Sequence, residues 1–170
     1  MRLNKASKYL YTALILCHCA LSLASDSQPR PPIEVEADRV DMDAKSGISI
    51  YQGNAVMTHG EMRISGDRIE IHTTEEGELK HLIVIGQPAR YRDLPEGEEQ
   101  EVRAKASRME YYVSGPERAL FFGDARFWQG QDSLSGDSVF VNLETQAVKA
   151  QGNDDQRARA IIYPGQREER

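Results

Sequence analysis

Two six-residue phrases alternate along this chain, and an internal repeat fixes the kind of architecture before any single residue is interpreted. The first phrase is a small residue, a polar pair, then apolar-x-apolar. It runs Ala37-Asp38-Arg39-Val40-Asp41-Met42, Gly66-Asp67-Arg68-Ile69-Glu70-Ile71, Ala106-Ser107-Arg108-Met109-Glu110-Tyr111 and Gly136-Asp137-Ser138-Val139-Phe140-Val141. The second is an apolar stretch entering a glycine: Ile50-Tyr51-Gln52-Gly53-Asn54-Ala55, Ile83-Val84-Ile85-Gly86-Gln87-Pro88, Phe121-Phe122-Gly123-Asp124-Ala125 and the weaker Val148-Lys149-Ala150-Gln151-Gly152-Asn153. Strict alternation gives four copies of one strand-turn-strand unit. The halves also keep register, because Gly53 and Gly123, Gly60 and Gly130, and Ser65-Gly66-Asp67 and Ser135-Gly136-Asp137 are each 70 residues apart.

Within the copies, apolar residues recur with period two, as in Ile69, Ile71 and Thr73, in Met109, Tyr111 and Val113, and in Val139, Val141 and Leu143. That is the strand period, and no window sustains a helical stripe. The chain therefore reads as all-β, with turns at Lys45-Ser46-Gly47, Glu75-Glu76-Gly77, Pro95-Glu96-Gly97, Ser114-Gly115-Pro116 and Gly152-Asn153-Asp154. The pattern predicts a dozen or more strands of roughly five to eight residues stacked into two facing antiparallel sheets, a sandwich or jelly roll. Neither half alone would bury its apolar face, so the polar stretch Asp93 to Gln100 is expected to be a hairpin loop inside one domain. A stack of this kind has two open ends, expected near Ile33–Met42 and Arg157–Tyr163. The latter has no interior proline and is free to accept another strand.

The first residues carry Arg2, Lys5 and Lys8, then an apolar run from Tyr9 to Leu23 with a small-residue exit at Ala24. Charge, length and exit fit a secretory signal over residues 1–24, and the run is short for a membrane span. Residues 25–32, with Pro29, Pro31 and Pro32, read as a leader, residues 33–164 as the domain and 165–170 as a polar tail. Both cysteines, Cys17 and Cys19, fall in the signal, so the mature chain has neither a disulfide scaffold nor a reactive thiol. Cleavage would leave 18 basic and 27 acidic residues, a net charge of −9. That sign argues against a nucleic-acid partner and against adhesion to an anionic membrane face.

Several constellations look chemical and are absorbed by the repeat. Asp41-Met42-Asp43 suggests paired carboxylates, yet Asp41 occupies the slot of Glu70, Glu110 and Phe140, the solvated face of each strand. Gly136-Asp137-Ser138 suggests a hydrolase turn, but its equivalents are Gly66-Asp67-Arg68 and Ala37-Asp38-Arg39. The mature histidines His59, His72 and His81 are not at ligand spacing with one another in sequence. No cofactor, metal or catalytic set is expected. The remaining signal is an apolar face offering Val40, Met42, Ile50, Met57, Met62, Ile64, Ile69, Ile71, Met109, Tyr111, Leu120, Phe127, Val139 and Val141. It reads either as a packed core or as a lining for apolar cargo. Four of the five methionines lie in it, and Met adapts to irregular apolar shapes.

In order and spacing, six stretches resemble the OstA-like β-jelly-roll family of LptA-type periplasmic lipopolysaccharide-transport proteins. They are Pro32 to Asp38, Tyr51 to Gly60, Gly86 to Tyr91, Ala106 to Tyr111, Phe122 to Ala125, and Arg157 to Pro164. The resemblance spans residues 32 to 164. It implies a non-enzymatic bridge that shields the lipid A acyl chains of lipopolysaccharide in a groove between two sheets. It further implies an inner-membrane LptC-like jelly roll at the N-terminal edge (Ile33, Val35) and an outer-membrane LptD-like one at the C-terminal edge (Ala158, Ala160, Ile162), with head-to-tail self-assembly. Two other readings stay open. One is an anchored LptC-like member of the same pathway; the other is a polysaccharide-binding module using Tyr51, Tyr111, Tyr112, Phe121 and Trp128 as sugar platforms.

Overall fold

The structure is a computed structural model that describes residues 31–95 and 97–164. The expected signal, most of the leader and the polar tail lie outside those residues. Ten antiparallel strands form one continuous sheet: β1 (Glu34–Glu36), β2 (Arg39–Asp43), β3 (Ile48–His59), β4 (Met62–Thr73), β5 (Leu79–Asp93), β6 (Val102–Tyr112), β7 (Arg118–Gln129), β8 (Asp132–Asn142), β9 (Ala147–Gln151) and β10 (Arg159–Ile161). Strands β3 to β8 pair in chain order through hairpins, and the Asp93–Gln100 stretch joins β5 to β6 as expected. At one end β1 and β2 both pair with β3, and at the other β9 and β10 both pair with β8.

The all-β, two-layered expectation holds, but the strands are fewer and longer. Strands β3 to β8 run 11 to 15 residues each, because the glycine phrases bend a strand where the sequence suggested that they ended one. The register shifts at Gln52/Ala55, Ser65/Arg68, Ile85/Ala89, Lys105/Arg108 and Phe122/Ala125, so the irregularities line up across the sheet as one fold line. A bulge inserts extra residues on one strand and bends it. At β3 and β7 the bend is made by Gly53-Asn54 and Gly123-Asp124, whose φ values of 78° and 48°, and 76° and 48°, are left-handed. Glycine takes that conformation without cost, and Asn and Asp tolerate it better than other residues. The bends are tied down locally. Asp38 N donates to Gly53 O at 2.9 Å and Asn54 Nδ2 donates to Asp38 Oδ2 at 2.9 Å, while Asn153 Nδ2 donates to Asp137 Oδ1 in the same way at 2.9 Å.

Folding along this line creates the two layers. Layer one contains β1, β10 and the halves of β3 to β8 on one side of the bend; layer two contains β2, β9 and the other halves. Their inner faces share one core, with Met57 and Ile64 from layer one packed in the same cluster as Ile69, Val84 and Val139 from layer two. Phe121 of layer two and Phe127 of layer one have ring centroids 6.4 Å apart across the interior.

Candidate lipid-facing interior

The strand register resolves the interior into rows that cross every strand. Nearest the fold line lie Ala55, Gly66, Ala89, Ala106, Ala125 and Gly136, and the four alanines are at most 1% exposed. Small side chains are required there because the layers converge. The next row of layer two is Val40, Tyr51, Ile69, Val84, Met109, Phe121, Val139 and Ala150, paired in that order from β2 to β9. Its counterpart in layer one is Val35, Met57, Ile64, Tyr91, Ala104, Phe127, Leu134 and Ala160. Farther out in layer two come Met42, Ser49, Ile71, Leu82, Tyr111, Ala119, Val141 and Val148. The repeat is thus written into space: the fourth and sixth positions of the first phrase, and the positions two and four before the glycine of the second, all face inward.

The residues expected to line a groove divide into four groups. Met57, Ile64, Ile69, Met109 and Val139 are 0 to 5% exposed and are packed core. Met62, Ile71, Tyr111, Phe127 and Val141 are half-buried and packed against that core. Val40 and Met42 face inward on edge strand β2 and are 47% and 71% exposed. Ile50 and Leu120 correct the expectation, since they face outward: Ile50 pairs with Asp41 and Glu70, and Leu120 with Glu110 and Phe140, each next to an inward aromatic. Adjacent apolar residues hid the parity in both places. Missed from the inward set were Tyr51, Leu82, Val84, Tyr91 and Phe121, each in or beside such a run or outside the two phrases.

The interior is almost purely apolar, and no polar or charged residue is buried among the described residues. Of its three phenols two are hydrogen-bonded to carboxylates: Tyr91 donates to Asp93 Oδ2 at 3.1 Å and Tyr111 donates to Glu117. Burial first, and then these carboxylates, push both phenols well above their ordinary pKa, so they stay neutral donors.

The ends differ from expectation in extent. The expected terminal strand Arg157–Tyr163 narrows to β10, Arg159–Ile161, so Ala158 and Ile162 flank it, and β9 shares the C-terminal edge. At the N-terminal edge Ile33 precedes β1 and is 53% exposed, while Val35 lies in β1 and faces inward. The supposed sugar platforms do not converge. Tyr51, Tyr111 and Phe121 face the interior, Tyr112 the outside of layer two and Trp128 the outside of layer one.

The outside of layer two brings together residues that were distant in sequence. His72 and His81 are cross-strand partners with ring centroids 5.4 Å apart, and His81 stacks on Tyr112 at 4.0 Å. Arg68 donates to Glu70 at 2.8 Å, and Glu110 accepts from Arg108 at 2.6 Å and Tyr112 at 2.7 Å. The Arg68 hydrogen bond holds Glu70 below the usual carboxylate range; burial pulls Glu110 up, but its hydrogen bonds outweigh that and hold it low. Burial pushes His81 below its ordinary 6.5, and its Nε2 has no hydrogen-bond partner among the described residues. Protons therefore bind the unfolded chain better than the fold at each site, and stability must fall with acidification. The His81 contribution is full above pH 6.5 and is lost as pH drops from there toward its lower folded value. The carboxylate contribution is lost below about 4.5. Melting temperature is expected to fall in these two windows, and His81→Gln to remove only the first; an unchanged profile from neutral to pH 5.5 in both proteins would contradict the assignment.

The sequence model of the family described as LptA/(LptD N-terminal domain) LPS transport protein matches residues 34–147. The chain belongs to that family. It is 27% identical to the lipopolysaccharide export system protein LptH of Pseudomonas aeruginosa over 139 residues, 82% of this chain and 78% of the relative. To the lipopolysaccharide export system protein LptA of Escherichia coli K12 it is 24% identical over 166 residues, 96% and 88% of the two chains. The crystal structure of Pseudomonas aeruginosa LptH superposes with a TM-score of 0.69 at 23% identity, covering 79% of this chain and 96% of that one. That likeness carries the fold.

Proposed function

We propose that this chain carries the acyl chains of lipopolysaccharide between its two layers, as a periplasmic bridge that performs no covalent chemistry. One observation carries the reading. Two apolar rows continue without interruption, from β2 to β9 in layer two and from β1 to β10 in layer one, and the interior remains exposed at Val40 on one edge and Ala160 on the other. An interior that existed only to stabilise the fold would be capped at its ends. Its relatives support the reading, since they are lipopolysaccharide export proteins and LptH is described as a periplasmic component of lipopolysaccharide transport.

The energetics suit a slot without a reaction. Each CH₂ removed from water is worth about 0.8 kcal/mol, so a twelve-carbon chain gains roughly 10 kcal/mol gross on entering it. Cargo sliding from row to row exchanges one apolar contact for a similar one, and the driving energy comes from a partner. Among the described residues the outer sides of β1 and β2, and of β9 and β10, pair with no other strand and present backbone groups to a further one. An LptC-like jelly roll at the first edge, an LptD-like one at the second, or another copy of the chain would extend both layers and the slot with them. In this reading residues 1–24 are a cleaved signal, 25–32 a leader, 33–164 the domain and 165–170 a tail. Retention of 1–24 would favour the anchored alternative.

Capture of lipopolysaccharide, measured in parallel with its deacylated sugar, tests the proposal. The acylated form alone is expected to bind, and Val141→Glu, which puts a charge on the half-buried inner face, is expected to weaken capture about tenfold or more while leaving the fold intact. Equal binding of the deacylated sugar would overturn the acyl-slot reading.

A further inference from the structure

The net negative charge conceals a cationic face. The outside of layer one carries two cross-strand rows. One reads Glu34, Thr58, Arg63, Arg92, Arg103, Trp128, Ser133 and Ile161; the other reads Glu36, Val56, Ser65, Arg90, Lys105, Arg126, Ser135 and Arg159. Seven cations stand here, and Arg63 faces Arg92, Arg92 faces Arg103, Arg90 faces Lys105 and Lys105 faces Arg126 directly across strands. Like charges in that position destabilise a sheet. Among the described residues only Glu101, which immediately precedes β6, forms ion pairs with them, with Arg92 and with Arg103 at 3.3 Å. Arg63, Arg90, Lys105, Arg126 and Arg159 have no ion pair among the described residues.

Layer two shows that the fold does not require this. At its outer positions Arg39 pairs with Asp41, Arg68 with Glu70 and Arg108 with Glu110, each within its own strand. On β4 and β6, therefore, the same two strands carry neutralised arginines on one side of the fold line and unneutralised cations on the other. An arrangement that costs stability and is avoided one half-strand away calls for an external anion.

We propose that the outer face of layer one docks on an anionic lipid surface through the phosphates of its headgroups. Complementary charge is the first reason, and shape is the second. The rows lie on an open sheet face spanning roughly 14 Å from β4 to β7, wide enough to meet more than one headgroup at once. Third, Trp128 has two guanidiniums near its ring, Arg103 at 5.5 Å and Arg126 at 5.6 Å, and an indole beside arginines suits headgroup depth. Carboxylates Glu34 and Glu36 bound the patch at the N-terminal edge, which fixes the face that approaches. This docking is independent of the acyl slot, which opens between the layers.

Flotation of the purified protein with phosphatidylethanolamine vesicles, with or without about a quarter phosphatidylglycerol, tests it. Binding is expected only with the anionic vesicles, is lost at high salt, and falls about a hundredfold in Arg90→Glu/Arg126→Glu. The same exchange turns two like-charge contacts with Lys105 into opposite-charge ones, so melting temperature is expected to hold or rise, and Arg90→Gln/Arg126→Gln to lie between. The slot variant Val141→Glu is expected to float like the parent protein, which separates failure of this face from failure of the slot. Equal flotation with neutral vesicles, no loss in the double variants, or displacement by millimolar inorganic phosphate would overturn the proposal. So would retention on polyglutamate without flotation, which would assign the face to an acidic polypeptide instead.

Discussion

Val139→Asp is expected to abolish the cooperative thermal transition. Val139 is 1% exposed at the centre of β8, in the row between Phe121 and Ala150, and no polar group is buried near it among the described residues. A carboxylate placed there either stays charged without a partner or takes up a proton, and both states lose the packing of the valine. The combined cost, about 4 kcal/mol or more, is comparable with the whole margin of about 5–15 kcal/mol that keeps a domain folded. Leu120→Asp, at an outward and half-buried position on the neighbouring strand, is the matched control and should lose far less. Circular dichroism melts of the two proteins check the difference. Similar losses in both would mean that the inward and outward faces of β7 and β8 are misassigned.

That pair of positions also shows where the sequence was readable and where it was not. Ile69 was legible as interior because Arg68 and Glu70 flank it, and Val139, 70 residues on at the same place in the first phrase, was legible through the repeat although its neighbour Phe140 is apolar. In Ile50-Tyr51, Ile83-Val84-Ile85 and Leu120-Phe121-Phe122 hydrophobicity alone gives no parity, because outward positions on layer two are themselves apolar in β3, β5 and β7. Counting back two from each glycine would have chosen Tyr51, Val84 and Phe121 correctly. The strand lengths were hidden for a related reason: Gly53 and Gly123 carry the positive φ of a turn, but the chain continues in the same direction of pairing. The alanines of the fold line have too little hydrophobic surface to stand out, and are buried by the convergence of layers that no local pattern reports. His72 and His81 meet only through the register of β4 against β5. The cationic face was concealed because a net charge of −6 for the chain averages over two layers with different outer surfaces.

The fold line is the part of this architecture that tolerates least, and Gly66→Ala is the substitution that exposes it. An added Cβ at Gly66 would stand 2.6 Å from the carbonyl oxygen of Ile85 and 2.9 Å from Val84 Cγ1. The first is backbone of a central strand, held by β4 on one side and β6 on the other, so it cannot step aside without disturbing both ladders. Overpacking of this kind costs about 1–3 kcal/mol. Gly136, its counterpart 70 residues on, meets the carbonyl oxygen of Gln151 at 2.4 Å, which looks tighter. Gln151, however, ends β9, a five-residue edge strand paired only with β8, and can yield. Gly66→Ala is therefore expected to be the more destabilising of the two, despite its longer contact, and to lower acyl capture by spreading the layers where Ala55, Ala89 and Ala106 hold them together. Denaturant titrations give the comparison directly. A larger loss for Gly136→Ala would mean that the edge at β9 is as rigid as the centre of the sheet.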